Sequence, residues 1–256
     1  MDKRRILILG GTTEARDLAG RLAGRTDLAV TLSLAGRTVD PAPQPVPVRI
    51  GGFGGVPGLA AYLDEHAIEL VIDATHPFAR QISANARAAS AAANIPLLRL
   101  ERRGWEETEG DRWIRRTSIE EAVTALGVQP RRVFLAIGRQ EARAFDAAPQ
   151  HHYLVRSVDP VDPPMEAPSV EYLLARGPFA VEAEVDLLRQ QRIDVIVSKN
   201  SGGDATYGKI VAARILGLPV ILVERAASES GHHAETVEDA VRLTDHLLAS
   251  FRKRGV

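Results

Sequence analysis

The residues with the clearest chemical meaning lie near the start of the chain, where an apolar run ends in the segment GGTTEA. This segment contains Gly10, Gly11, Thr12, Thr13 and Glu14, and a helix-forming pattern follows it. The order predicts a buried strand that turns tightly into a helix, where backbone N–H groups and the positive end of the helix dipole can hold a diphosphate. Because Glu14 stands where nucleotide-binding turns commonly have glycine, a purely structural turn is the alternative interpretation.

A second group of residues follows the next predicted strand and bears on the choice of nucleotide. NAD sites usually carry an acidic residue at this point, which binds the ribose 2′-hydroxyl. This chain has Arg37 and Thr38 instead, and its first carboxylate comes later, at Asp40. A guanidinium can donate two hydrogen bonds to phosphate oxygens, so the pattern favours NADP(H) over NAD(H). A solvated loop arginine is the alternative.

A third loop, GGFGG, places Gly52, Phe53 and Gly54 after another predicted strand. Glycines allow a backbone to approach a ligand closely. An aromatic side chain between them is suited to pack against a ring of a cofactor or substrate. The alternative is a flexible loop around a core phenylalanine, and we favour the binding role because four glycines destabilise an ordinary loop through their conformational entropy.

Two loops carry residues able to act on a substrate. The segment THPFA places Thr75, His76 and Pro77 at the end of a strand, where a histidine can donate a proton or contact a polar substrate. The segment KNSGG places Lys199 and Asn200 at the matching point of a later strand, where a lysine can pair with a substrate carboxylate or phosphate. A structural histidine and a solvated lysine are the alternatives at these positions.

Arginines near other predicted strand ends suit a polyanionic ligand. Arg16 follows the first glycine turn, Arg139 lies in the segment IGRQ, and Arg156 ends a predicted strand. Basic side chains gathered at a cleft would attract a ligand with several carboxylates. For each of them singly, a surface arginine is the alternative interpretation.

The composition limits the class of protein that these loops serve. The chain has 256 residues, of which 45% are hydrophobic and 25% charged, as in soluble globular proteins. Its net charge of −1 gives no global field to attract nucleic acid or a membrane surface. The sequence has no cysteine and no metal-binding spacing such as HExxH, so we expect neither disulfides nor a metal site. We expect a cytoplasmic protein.

Strand-like apolar runs alternate with helical patterns along nearly the whole chain, which is typical of parallel sheets covered by helices. Strands are predicted at Ile6–Leu9, Leu28–Leu34, Val46–Ile50, Leu70–Asp73, Pro96–Leu100, Val133–Ile137, Tyr153–Arg156, Asp194–Ser198 and Val220–Val223. Helices are predicted between them, including one at Val170–Arg176.

The chain also repeats itself at a nearly constant distance. Val71 and Val195 are 124 positions apart, and Pro96 and Pro219, which each precede a strand, are 123 apart. Such offsets predict an α/β protein of two Rossmann-like modules, with mainly parallel sheets that face a shared cleft. We predict an NADP(H)-binding domain at 1–103 and a second Rossmann-like domain at 104–256 that contributes to the substrate cleft. Chance similarity between βα units is the alternative.

Taken together, ILGGTTEAR, SLAGRT, GGFGG, VIDATHPFA, FLAIGRQ and SKNSGGDATYGKIVAAR resemble the precorrin-6A reductase family of cobalamin biosynthesis, in the same order over nearly the full chain. The resemblance implies NADPH-dependent reduction of the precorrin-6A macrocycle to precorrin-6B, by hydride transfer to a ring-D carbon. The metal-free branch is the closer match, and cobalt-precorrin-6A reductase of the anaerobic branch is the alternative. Two readings outside this family are a non-catalytic NADP(H)-sensing protein and a two-domain glycosyltransferase.

With this resemblance, each group of candidate residues receives a role. His76 and Lys199 are the catalytic candidates, and His76, Lys199 and water remain open as the proton source. Substrate contacts are assigned to Arg16, Thr75, Arg139 and Asn200. Cofactor contacts are assigned to Gly10, Gly11, Thr12, Thr13, Arg37, Thr38, Gly52, Phe53, Gly54 and Pro77. The implied partners are NADPH and a small-molecule tetrapyrrole substrate, without nucleic acid or membrane, and at most transient contact with neighbouring pathway enzymes.

Overall fold

The structure is a computed structural model that describes residues 3–36, 42–225 and 231–252. The chain divides into two compact units, Met1–Arg103 with Ser228–Val256, and Gly104–Ala227. The predicted second domain, 104–256, therefore differs from the observed second unit in its last part. The segment that begins at Ser228 belongs to the first unit, because its strand and helix pack on the first sheet.

Twelve strands and seven α-helices follow one another within the described residues. In chain order they are β1 Arg4–Leu9, α1 Thr13–Ala23, β2 Leu28–Leu34, β3 Val48–Ile50, α2 Gly55–Glu65, β4 Leu70–Asp73, α3 Arg80–Ala92, β5 Leu97–Leu100, β6 Trp113–Arg116, α4 Ile119–Ala125, β7 Arg132–Ala136, β8 His152–Ser157, β9 Val170–Leu174, α5 Val181–Gln190, β10 Val195–Lys199, α6 Gly208–Leu216, β11 Val220–Val223, β12 His232–Ala234 and α7 Val237–Arg252. Short 3-10 helices lie at Ala142–Ala147 and Asp204–Thr206.

Each unit is built on one six-stranded parallel sheet. The strand order is β12-β5-β4-β1-β2-β3 in the first unit and β6-β11-β10-β7-β8-β9 in the second. Neighbouring strands are parallel throughout both sheets. The strand order reverses between β4 and β1 in the first sheet and between β10 and β7 in the second. Nucleotide-binding α/β folds have the same kind of reversal. The prediction of two Rossmann-like modules is confirmed.

The two sheets exchange their sixth strands. β6 follows β5 in the chain but pairs with β11 in the second sheet, whereas β12 follows β11 but pairs with β5 in the first. The helix after each exchanged strand begins with a hydroxyl cap, since Ser118 accepts from the Glu121 N–H at 3.2 Å and Thr236 from the Asp239 N–H at 3.1 Å. Each half of the repeat thus gives five strands to one unit and one strand, with the helix that follows it, to the other unit. Because of this exchange, neither unit has the limits that the sequence predicts for the two domains.

Burial explains which strands form the centre of each sheet. All four residues of β4 and of β11 are buried, as are the last four of β1. Helices cover both faces of such a sheet, so its central strands consist of nearly continuous apolar residues instead of an alternating pattern. The predicted bounds of β4 and β11 agree with the observed ones, and so do those of β2, whose burial largely alternates.

One predicted helix is wrong. Residues 170–176 were expected to be helical, but Val170–Leu174 forms the edge strand β9, which pairs with β8 through Val155 and Tyr172. A short apolar run fits either period, and pairing with a neighbouring strand decides the outcome.

Candidate functional site

The turn between β1 and α1 has the shape that the glycine motif predicts. A Cβ on Gly10 would lie 2.6 Å from Leu32 Cδ1, so any larger residue there would force the Leu32 side chain of β2 to move. Gly11 has a φ of +115°, and a Cβ there would meet nothing within 4 Å. Gly10 therefore packs the turn against the sheet, whereas Gly11 combines a backbone conformation that favours glycine with open space above the turn.

Thr12 links this turn to the neighbouring strand. Its hydroxyl accepts from the Ala15 N–H at 3.1 Å and donates to the Ala74 carbonyl at 2.8 Å, just beyond β4. The side chain predicted to contact a diphosphate is thus occupied as the helix cap. The first amides of α1, beginning with Thr13, have no partners within the helix and remain the natural donors to an anion.

Glu14, which departs from the usual glycine pattern, forms an ion pair. Its carboxylate accepts from Arg102 Nη1 at 2.5 Å, and Arg102 lies two residues beyond β5. Arg102 was not among the predicted site residues, because 88 positions separate it from Glu14.

The GGFGG loop is organised by an arginine that the sequence analysis did not identify. Arg49 of β3 donates to the carbonyls of Gly51 at 2.5 Å and Gly52 at 2.8 Å. Its guanidinium carbon lies 3.7 Å from the centre of the Phe53 ring, which also meets Tyr62 edge to face at 5.2 Å. Phe53 thus packs against side chains of its own unit, and Arg49 fixes the backbone of the loop that is predicted to contact the cofactor.

A buried polar cluster supports the THPFA loop. Thr75 donates its hydroxyl hydrogen to Asp73 Oδ1 at 2.7 Å, and its N–H donates to the same atom at 3.1 Å. Arg99 of β5 forms an ion pair with Asp73 and donates to Ser83 at 2.8 Å. The hydroxyl of Thr75, which is predicted to contact the substrate, is thus directed to a buried carboxylate of its own loop.

His76 is half-buried at the exposed end of this loop. Its Nδ1 accepts from the Phe78 N–H at 3.3 Å, and its carbonyl accepts from the Ala79 N–H at 2.7 Å. In a neutral ring whose Nδ1 accepts, Nε2 carries the hydrogen. His76 is therefore oriented as an Nε2–H donor, and its role as a proton donor or polar contact stays a prediction. Pro77 lies next to it in the same loop.

The predicted 2′-phosphate residues, Arg37 and Thr38, lie outside the described residues. The described part of that loop ends at Gly36, beyond the carboxyl end of β2.

The second unit also gathers predicted residues at the carboxyl ends of its strands. Lys199, at the end of β10, donates to Glu141 Oε1 at 2.5 Å, and Glu141 lies in the turn after β7. Arg139 is half-buried in the same turn. The lysine predicted to be catalytic is thus held by a carboxylate that the sequence analysis did not single out. Arg16, another predicted substrate contact, is exposed on α1 of the first unit.

Asn200, which is predicted to contact the substrate, is held by hydrogen bonds within its own unit. Its Oδ1 accepts from the Trp105 N–H at 2.7 Å, and its Nδ2 donates to the Trp105 carbonyl at 3.1 Å and to Glu224 Oε2 at 2.9 Å. The residue is 3% exposed. Because its carbonyl and both of its N–H groups are used, the side chain fixes the loop after β10 to the segment that begins the unit.

We expect Asn200→Ala to lower the free energy of unfolding of the second unit by about 2 kcal/mol. The substitution leaves a buried N–H and a buried carbonyl of Trp105 without partners. Urea unfolding followed by tryptophan fluorescence measures this unit, since Trp105 and Trp113 are the two tryptophans of the chain. Asn85→Ala, in α3 of the first unit, is the control. Unchanged stability together with lost substrate binding would return Asn200 to the substrate site.

Arg156 is buried instead of lining a basic surface. It forms a two-pronged ion pair with Glu184, at 2.5 and 2.9 Å, and its guanidinium carbon lies 3.7 Å from the Phe179 ring centre. Lys209 of α6 lies close by and donates to the Thr206 carbonyl at 2.7 Å. Burial, with the charge of Arg156, lowers the pKa of Lys209 to about 7.

Among the residues that the structure describes, no helix has the length and apolar character needed to cross a membrane. No group of three or more metal-binding side chains occurs among them.

Comparisons with known proteins agree over nearly the whole chain. A family model described as Precorrin-6x reductase CbiJ/CobK matches residues 5–245. A curated relative from Sinorhizobium sp, named Precorrin-6A reductase, is 55% identical over 97% of this chain and 95% of its own length. A solved structure described as CobK precorrin-6A reductase is 48% identical, with a TM-score of 0.91, over 95% of this chain and 97% of that one. A relative from Priestia megaterium, named Cobalt-precorrin-6A reductase, is 29% identical over 92% of this chain and 96% of its own length.

Proposed function

The chain belongs to the precorrin-6x reductase family, and from this premise we propose that it reduces precorrin-6A to precorrin-6B in cobalamin biosynthesis, with NADPH as the reductant. The observation that carries the proposal is the glycine turn of the first unit, with Gly11 leaving open space beside the first amides of α1. A nucleotide diphosphate fits such a turn because both the amides and the helix dipole favour an anion there.

The residues of the first unit would hold NADPH along the carboxyl edge of its sheet. NADPH, when bound, supplies the hydride. The backbone N–H groups of Gly11, Thr12 and Thr13 would hold the diphosphate. Gly10, whose own N–H donates to the Ser33 carbonyl at 2.9 Å, would shape the turn beside it. Gly52, Phe53 and Gly54 would line the ribose or nicotinamide region, on a loop that Arg49 fixes in place, and Pro77 would lie beside the nicotinamide. Arg37 and Thr38 are proposed for the 2′-phosphate.

The substrate requires cations and a proton source. A tetrapyrrole with acetate and propionate side chains would be held by Arg16, Arg139 and Lys199, because each can pair with a carboxylate. His76 is our candidate for the proton donor, since its ring is oriented with Nε2 as the hydrogen-bearing nitrogen. Lys199 is the second candidate, and its contact with Glu141 would hold the ammonium in place.

The metal-free substrate is favoured over the cobalt-containing one. The relative named for precorrin-6A is 55% identical to this chain, whereas the relative named for cobalt-precorrin-6A is 29% identical. The difference applies over nearly the full length of both proteins, so it does not arise from a single shared segment.

We expect anaerobic oxidation of NADPH with metal-free precorrin-6A, and much slower oxidation with the cobalt-loaded macrocycle or with NADH. Absorbance at the nicotinamide band measures the oxidation, and mass spectrometry should show a product heavier by one hydride and one proton. Arg37→Ala should reduce the preference for NADPH over NADH.

Three results would contradict parts of this proposal. Macrocycle binding without any oxidation would remove the reductase activity. NADP(H) binding without any affinity for the macrocycle would favour the sensing protein. If Arg37→Ala lowers the rates of NADPH and NADH oxidation by the same factor, the assignment of Arg37 to the 2′-phosphate is wrong.

A further inference from the structure

We propose that Arg102 is a phosphate-binding residue of the cofactor site, where it also offsets the negative charge of Glu14. The inference rests on the proposed function, because it takes NADPH as the ligand of the glycine turn. Arg102 lies just beyond β5, and Glu14 lies in the first turn of α1. Both are therefore at the carboxyl edge of the first sheet, where ligands of open α/β folds bind.

The charge of Glu14 gives the first reason for this role. A carboxylate in the first turn of a helix is stabilised by the helix dipole in the free protein. The same carboxylate repels a diphosphate that binds at that helix end. The Arg102 guanidinium, at 2.5 Å from Glu14, offsets the negative charge at the place where a second anion is to bind.

The position of the guanidinium gives the second reason. The side chains of Arg102 and Glu14 are 19% and 26% exposed, so their charges are less screened than those of a surface pair. A guanidinium has five N–H donors in a planar arrangement, and it can donate to more than one anion at once. Arg102 is therefore suited to bridge the Glu14 carboxylate and a phosphate oxygen.

The next residue in the chain provides a natural contrast. Arg103 pairs with Glu235 instead, and its side chain is 76% exposed. The two arginines have the same charge and adjacent backbone positions, but only Arg102 is bound to the helix that begins at the glycine turn. Variants at the two positions therefore distinguish the effect of the contact with α1 on NADP⁺ binding from the general effect of removing a positive charge.

The test measures equilibrium binding of NADP⁺ by calorimetry, with Arg103→Ala as the matched control. We expect Arg102→Ala to weaken binding about tenfold or more, since a charge-assisted hydrogen bond is lost. We expect Glu14→Gln to leave binding unchanged or to tighten it, because the repelling charge is removed. Arg102→Lys should retain part of the affinity, and the loss in Arg102→Ala should shrink at high salt.

A purely structural ion pair makes the opposite prediction, since removal of either partner would then weaken binding by a similar factor. That result, or wild-type affinity in Arg102→Ala, would overturn the inference. If Arg102→Ala does not fold, the sign of the effect in Glu14→Gln decides the matter alone. Failure of the wild-type protein to bind NADP⁺ would instead count against the proposed function, so the two failures are distinguishable.

Discussion

Gly11→Ala should weaken the binding of NADP⁺ by about 100-fold, while the first unit stays folded. Gly11 has a φ of +115°, which residues with a Cβ rarely adopt. An alanine there strains the turn by roughly 1–3 kcal/mol. A turn that relaxes to escape this strain no longer directs its amide groups to one point. One or two hydrogen bonds to a charged group are then lost, and each contributes about 1.5–3 kcal/mol, which corresponds to the expected loss of affinity.

A glycine within the helix that follows the turn serves as the control. Gly20 lies within α1, and a Cβ there would be 3.8 Å from Pro45, an ordinary contact distance. Gly20→Ala should therefore leave NADP⁺ affinity unchanged and stabilise the helix by a few tenths to about 1 kcal/mol. Calorimetric titration with NADP⁺ measures affinity, and circular dichroism during heating measures stability. Wild-type affinity in Gly11→Ala would place the nucleotide somewhere other than this turn.

The parts of the fold that the sequence predicts well are the interior strands of the two sheets. β1, β4 and β11 each have a strand on both sides, and their apolar runs are interrupted by no polar residue that faces water. The edge strands gave a weaker signal. β12 has three residues, two of them histidines, and β9 exposes Tyr172 and Leu174, so their structure depends on pairing with a neighbour and not on a local pattern.

The exchange of the sixth strands could not be read from the repeat. Offsets near 124 residues relate equivalent elements of the two halves, but they do not state which sheet each element joins. β6 and β12 stand at equivalent places in the repeat, and each pairs with the other half's fifth strand. A contiguous division was therefore the natural prediction, and only long-range pairing corrects it.

The candidate site shows the same limit for side chains. The sequence identifies loops because glycines and strand ends are local signals. It does not identify the partners that decide what a side chain does, since Asn200 meets Trp105 over 95 positions and Glu14 meets Arg102 over 88. Asn200 and Thr75 are predicted as substrate contacts on residue type, and the structure adds buried partners for both that no local pattern indicates.

Lys209→Met should remove a large part of the pH dependence of stability in the second unit. Lys209 is 3% exposed, with its ammonium 4.7 Å from the centre of the Trp105 ring. Burial is the largest cause that lowers its pKa from 10.5 to about 7, Arg156 lowers it further, and Glu184 opposes the shift. The folded protein therefore favours the neutral amine more strongly than the unfolded chain does.

The sign follows from proton binding in the two states. Between pH 7 and pH 10.5 the unfolded chain holds the Lys209 proton and the folded protein releases it, so the folded state gains stability as the pH rises. The penalty from this buried charge is fully present below pH 7. One pH unit corresponds to about 1.4 kcal/mol, so the stability of the wild type relative to Lys209→Met should rise by roughly 2–3 kcal/mol from pH 7 to pH 9.

Urea unfolding at a series of pH values, followed by tryptophan fluorescence, measures this difference for the unit that contains Trp105 and Trp113. Lys3→Met, at an exposed position, should follow the wild-type profile. The subtraction of two profiles cancels the other titrating groups, because only the residue at 209 differs between the proteins. Parallel profiles for the wild type and Lys209→Met would mean that the ammonium keeps its proton inside the fold, with the Glu184 carboxylate compensating its burial.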